Sequence, residues 1–314
     1  MRSHRASVTL LICSALVAGD FLSVVSAAPP RPETFSIVAA DPETGEVGVA
    51  VASRVFAGGT VVPHARAGEG ADATHSFANT TYGPRGIELM ARGVHPEEVV
   101  EVLHRHDPGH EQRQVGMVDA DGNSATYTGS KCLAWAGGRA GKNYAAQGNS
   151  LTGEAVVVAM ESTFLETVGK PLAERLYLAL EAGHSAGGDS RGKQSAALLV
   201  VRERAGYGGY TDLAVDIRVD DHATPIQELK RLLGMALVND YWNRGWTAFT
   251  EKNFEEALRW QEKTAGQAEG VPNMLPEVLY DLAVIRLAND DSAGALVALR
   301  RAVDLNPKLA DQAM

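Results

Sequence analysis
The strongest constraint on this chain is a series of short strand pairs, closed by turn residues and separated by pairs of helices. Thr34-Phe35-Ser36-Ile37-Val38-Ala39 reads as a strand, Asp41-Pro42-Glu43-Thr44-Gly45 as turn chemistry, and Val47 to Ala52 as the returning strand. Helices are predicted over 84–92 and 96–106, each with proline near its first turn, and Gly93 stops the first. Val115 to Asp119 and Ser124 to Thr128 then flank Asp121-Gly122, a strong hairpin signal. After the apolar stretch Val156 to Met160, Leu172, Leu176 and Leu180 give helical spacing over 171–181. Ser195 to Val201 and Leu213 to Val219 form a last hairpin, and Thr224-Pro225-Ile226-Gln227 opens another helix with a capping-box pattern. Hairpins alternating with helix pairs imply an α+β class, antiparallel sheets covered by helices.

The segment ahead of the first strand reads as an address. Arg2 and Arg5 precede the apolar run Val8 to Gly19, and Ser26-Ala27-Ala28 offers small residues for cleavage. That run is shorter than the ~18 residues needed to span a bilayer. A signal peptide over 1–27 is expected, followed by a Pro-rich leader over 28–33, so the protein should be exported to a periplasmic or secreted location with no membrane span. Lys and Arg number 29 against 39 Asp and Glu, a formal charge of −10, which argues against nucleic-acid binding. Cys13 and Cys132 cannot found a disulfide framework, and Cys132 is expected to be a core thiol.

From about Leu237 the pattern changes. Gly245, Phe249, Phe254 and Ala257 recur at a constant offset as Ala283, Leu287, Ser292 and Ala295. This resembles two tetratricopeptide repeats, with an insertion around 269–272 and with Arg244 standing where the first copy should be apolar. The expected division is 34–235 for the first domain and 236–314 for a small all-α repeat domain. Two repeats bury little core alone, so the pair should lean on the first domain or on another subunit. A protein partner through the repeats and a homo-oligomeric state are expected. Trp242, Trp246, Phe249, Phe254 and Trp260 read as packing residues.

The chemistry centres on Thr34. A threonine hydroxyl is a poor nucleophile until a base lies within reach, and a free α-amino group on the same residue, with a pKa of about 7.7 to 8.0, could be that base. Ser53 and Arg54 end the second strand beside Thr34 and could orient the amino group or hold a substrate carboxylate. Asn149 could donate to an oxyanion. Asp189 is a further candidate of the catalytic set. His75, Asn79 and Arg191 are the candidate substrate-binding residues. Gly187 to Lys193 almost spells a phosphate loop, but Gln194 replaces the hydroxyl residue, and the helix-before-strand order is the reverse of that motif. Asp216, Arg218 and Asp220 share a strand face and suggest a buried ion-pair network. Asp220, Asp221 and His222 could hold a divalent cation, and His104, His106 and His110 have loose zinc-like spacing; neither set is chosen, and no metal or cofactor is expected.

Several runs together resemble a bacterial family of unknown function assigned to the N-terminal-nucleophile (Ntn) hydrolases. They are Thr34 to Ala39, Gly48 to Ser53, Tyr82-Gly83-Pro84-Arg85-Gly86, Arg113-Gln114, Gln147-Gly148-Asn149, Ala186 to Ser195, and Arg218 to His222. The resemblance covers 34 to about 235. It implies a four-layer αββα sandwich in which a residue placed like Thr34 attacks an amide carbonyl of a small-molecule or peptide substrate. His75 stands where relatives lead one to expect Gln. Relatives also begin so that Met removal bares the threonine, whereas here signal cleavage leaves Ala28 to Glu33 ahead of it. Activity therefore requires a second cut at Glu33-Thr34. Without it, the chain would be a catalytically silent periplasmic binding or assembly protein.

Overall fold
The structure, a computed structural model, describes residues 34–312. The expected signal peptide and Pro-rich leader lie outside the described residues. The chain starts with an antiparallel pair, β1 (Thr34–Asp41) and β2 (Glu46–Ser53), in which Thr34 faces Ser53 and Asp41 faces Glu46. These strands sit at the centre of a six-stranded sheet completed by β7 (Gly137–Gly141), β8 (Tyr144–Asn149), β9 (Ser195–Val201) and β10 (Leu213–Val219), in the order β10-β9-β2-β1-β8-β7. A second sheet has four strands, β3 (Pro63–Arg66), β4 (Gly70–Ser76), β5 (Arg113–Asp119) and β6 (Ser124–Thr128), in chain order. Each neighbouring pair in both sheets is antiparallel.

β1 and β2 are buried on both faces, which explains their nearly continuous apolar sequences. On one face Phe35, Ile37 and Ala39 meet α3 (Ala155–Glu166), α4 (Leu172–Ser185) and α5 (Pro225–Thr250) through Met160, Leu176, Leu180, Ile226 and Leu229. On the other face Val38, Ala40, Val47, Val49 and Val51 meet Ala71, Ala73 and Val118 of the four-stranded sheet. The far side of that sheet carries α1 (Tyr82–Met90) and α2 (Pro96–Arg105), packed on Val115 and Met117. The mixed α/β class with two antiparallel sheets is thus as the sequence suggested.

The apolar stretch Val156 to Met160 lies in the first turns of α3. Differences are local. The Thr224 hydroxyl does not cap α5; it lies 3.2 Å from His222 Nδ1. Asp216 and Arg218 form an exposed pair at 3.9 Å rather than a buried network, because β10 is an edge strand. Cys132 is half-buried rather than in the core, its thiol donating to Arg113 O at 3.3 Å.

After α5 come α6 (Phe254–Ala268), α7 (Leu275–Ala288) and α8 (Ser292–Leu305), packed through Ala265, Ala268, Leu279, Ala295, Ala298 and Ala302. Asn253 and Asp291 cap α6 and α8 by accepting the backbone N–H of Glu256 and Gly294. Residues 34–312 belong to one compact unit, and α5 runs unbroken across position 235. Arg244 explains its own departure from the repeat pattern. It reaches Glu46 of β2 at 2.6 Å and Asp240 at 2.9 Å, while Arg202 reaches the same two acids at 2.7 and 3.3 Å. The helical tail leans on the first sheet through this closed set of two cations and two buried acids. No helix among the described residues is long and apolar enough to cross a membrane.

Candidate active site
Thr34 opens β1, and the register places Ser53 of β2 and Asn149 of β8 directly beside it. Directly paired residues share a face, so all three side chains join the row that includes Val38 and face the other sheet. The hydroxyls of Thr34 and Ser53 lie 3.1 Å apart, and Thr34 is fully buried. One layer deeper, Gln147 Nε2 donates to Ser36 Oγ at 2.6 Å. Gly116 on the facing sheet makes room for that amide, since a Cβ there would lie 1.9 Å from Gln147 Oε1. The inner face of the sheet pair is therefore polar at the Thr34 end and apolar beyond it.

The facing sheet contributes Gln114 and His75, paired across β5 and β4. Gln114 Nε2 points at three oxygens: Gly148 O at 2.8 Å, Thr128 Oγ1 at 2.9 Å and Gly137 O at 3.3 Å. Its Oε1 is then the acceptor for Asn149 Nδ2 at 2.9 Å and His75 Nδ1 at 3.3 Å. This assigns the proton of His75 to Nδ1 and leaves Nε2 a bare, buried acceptor with no partner. Burial outweighs the Gln114 contact and lowers the His75 pKa to about 4, so the ring is neutral at pH 7. A chain of side chains thus runs Thr34–Asn149–Gln114–His75 across the gap between the sheets, the first link being strand pairing and the others hydrogen bonds.

The other candidates lie at the rim or away from it. Asp189 Oδ2 accepts Arg54 N–H at 3.1 Å, and Oδ1 accepts Arg191 N–H at 2.9 Å, with Arg191 Nη2 also 3.1 Å from Oδ2. Asp189 so pins the 187–193 loop to the end of β2. That loop turns through left-handed backbone at Gly187 and Gly188, with φ of 124° and 59°. The Arg54 side chain is exposed, its Nη1 donating to Gln194 Oε1 at 2.5 Å. Beside Ser53, a cavity of about 170 Å³ is walled by Phe35, His184, Asp189 and Lys193. Asn79 belongs to a different cluster at the start of α1: it donates to Asp107 Oδ2 at 3.0 Å and accepts from Thr81. Arg113 holds Asp107 well below the usual carboxylate range there, in a salt bridge at 2.9 Å. The structure therefore brings Thr34, Ser53, Asn149 and His75 together, sets Asp189, Arg54 and Arg191 at the edge, and keeps Asn79 apart. Among the described residues no three His, Cys, Asp or Glu side chains converge as a metal cage.

No curated protein matches the chain. The model of a family of unknown function, DUF1028, matches residues 34–229. The chain belongs to the DUF1028 family. Among solved structures, it is similar to the crystal structure of protein SPO2555 from Silicibacter pomeroyi, labelled with the same family. That structure is 32% identical, with a TM-score of 0.60, over 68% of this chain and 90% of the other.

In this DUF1028 chain, Gln114 and Gln147 are the site residues that reading the sequence left without a role. A signal for them exists. Each is a long amide at an inward strand position, and Gln114 stands out most, since the other inward residues of Gln114-Val115-Gly116-Met117-Val118 are glycine and valine. Such a residue must find partners across the sheet gap, and the sheet pairing needed to name them is not local information.

Proposed function
We propose that the chain is an exported amidohydrolase of the Ntn type, built as a four-layer αββα sandwich with two tetratricopeptide-like repeats behind it. The observation that carries this reading is Thr34 at the head of a central strand, its hydroxyl 3.1 Å from Ser53 Oγ at the polar end of the sheet gap. Cleavage at Glu33-Thr34 would free the Thr34 α-amino group. Thr34 Oγ1 then attacks an amide carbon while that amino group takes its proton. Asn149 Nδ2 carries two hydrogens, one committed to Gln114, and the second serves the oxyanion. The α-ammonium returns the proton to the leaving amine, and water hydrolyses the resulting Thr34 ester. The cavity beside Ser53 takes part of the substrate, with Asp189 and Arg191 shaping its rim.

The test joins the mass and N-terminal sequence of the exported protein to turnover of an amide panel. The reading expects a chain starting at Thr34, and loss of turnover in Thr34→Ala with an unchanged unfolding transition. Turnover by a chain that still carries Glu33 refutes it. One observation favours the alternative, a catalytically silent binding or assembly protein: Thr34 has no exposed surface. A stable exported chain that begins at Ala28 and hydrolyses nothing would establish that alternative.

A further inference from the structure
A wide cleft lies at the opposite end of β1 from Thr34. It holds about 580 Å³ between the β1–β2 turn, the segment entering α4, and the facing sides of α5 and α6. That is within the size range of small-molecule sites. We propose that this cleft binds a small organic oxyanion, a carboxylate or phosphoryl group carried on an apolar or aromatic body, with Arg175 as its principal anchor.

Arg175 lines the cleft yet is only 6% exposed. Its guanidinium carbon sits 3.9 Å from the Phe164 ring centroid, and Nη2 donates to Phe164 O at 3.2 Å. Nε is buried with no partner. Arg175 forms no ion pair among the described residues; Asp41, the acid that acts on it electrostatically, has its Oδ1 taken by the Glu43 N–H at 3.1 Å. A guanidinium has five N–H donors, and a buried cation with no acid in direct contact is costly to keep. An arriving oxyanion supplies that contact, with Arg geometry suited to two parallel hydrogen bonds.

The opposite wall adds a second cation, this one exposed. Lys263 Nζ lies 4.3 Å from the Tyr241 ring centroid and 5.0 Å from that of Trp260, with no acidic partner among the described residues. Glu46, the buried acid of the lining, is already bound by Arg202 and Arg244. The buried acid is therefore satisfied while the buried Arg175 is not, and the exposed Lys263 adds a second positive charge to the cleft wall. Trp260, half-buried in the lining, supplies the flat apolar surface for the body of the ligand.

The experiment is calorimetric titration of the full exported chain with benzoate and phenyl phosphate, and with benzamide as the uncharged isostere. Saturable binding of either anion is expected, with no binding of benzamide, and the tighter anion identifies the head group. Arg175→Met should weaken that binding at least about tenfold, the loss of a charge-assisted hydrogen bond. Lys263→Met, on the exposed wall, gives the same comparison should Arg175→Met fail to fold. Thr34→Ala should bind the probes as wild type does, which separates this cleft from the proposed catalytic centre. The proposal is overturned if neither anion binds at millimolar concentration, if benzamide binds equally well, if binding survives in both cleft variants, or if Thr34→Ala abolishes it.

Discussion

His75 makes a sharp prediction about stability against pH. In the unfolded chain its imidazole titrates at the ordinary 6.5; in the folded protein burial between the sheets lowers this to about 4. Between those values the unfolded chain binds a proton that the native state excludes, so stability falls as the solution is acidified. The contribution is fully present above pH 6.5, and it is lost progressively through the window down to about 4. Each pH unit of separation is worth about 1.4 kcal/mol, which gives about 3 kcal/mol across the window. His75→Gln removes the titrating group and keeps an N–H donor for Gln114 Oε1. Urea denaturation of both proteins at several pH values between about 7.5 and 4 measures the difference. The variant should lie within about 1 kcal/mol of wild type at neutral pH and overtake it by about 3 kcal/mol near the acid end. Parallel curves would refute the burial argument.

Asp72 should show the opposite trend. It is fully buried on β4 with neither carboxylate oxygen hydrogen-bonded, His64 Nδ1 being 3.8 Å away, and burial raises its pKa well above 3.8. Its folded state holds the proton more tightly than the unfolded one, so its contribution is complete below pH 3.8 and declines as pH rises towards the folded value. Asp72→Asn should therefore gain stability over wild type between pH ~4 and ~7 in the same denaturation series. Asp240→Ala leaves Arg202 and Arg244 sharing Glu46 alone and should cost about 3 kcal/mol, seen as a lower urea midpoint; an unchanged midpoint would mean that the four-membered set contributes nothing.

The outer frame of this fold was legible because its signals are local. The Asp121-Gly122 turn, proline at the start of α2, the alternating valines of β2 and the apolar run of β9 all act within a few residues. β4, with its Ala-rich Gly-Ala-Asp-Ala-Thr-His-Ser, and β7, with Gly-Gly-Arg-Ala-Gly, carry little β-propensity. They are held as strands by the neighbours they pair with. The site divides in the same way. Thr34 could be placed beside the end of the second strand from hairpin length alone, and it meets Ser53 itself because Asp41 pairs with Glu46 and leaves 42–45 as the turn. The fully buried state of His75 and its link through Gln114 to Asn149 depend on one sheet facing another. Asn79 shows the converse: a turn-forming amide read as substrate-facing spends both its groups on Asp107 and Thr81.

α5 carries a mechanical consequence. Its Ile226, Leu229 and Leu233 roof the sheet that bears Thr34, and its Val238 belongs to the core of the tail. One rigid girder is therefore shared between what a sequence map would draw as separate modules, with no swivel point in it. Any torque that a partner applies to the tail is delivered to β9 and β10 rather than absorbed by a tether.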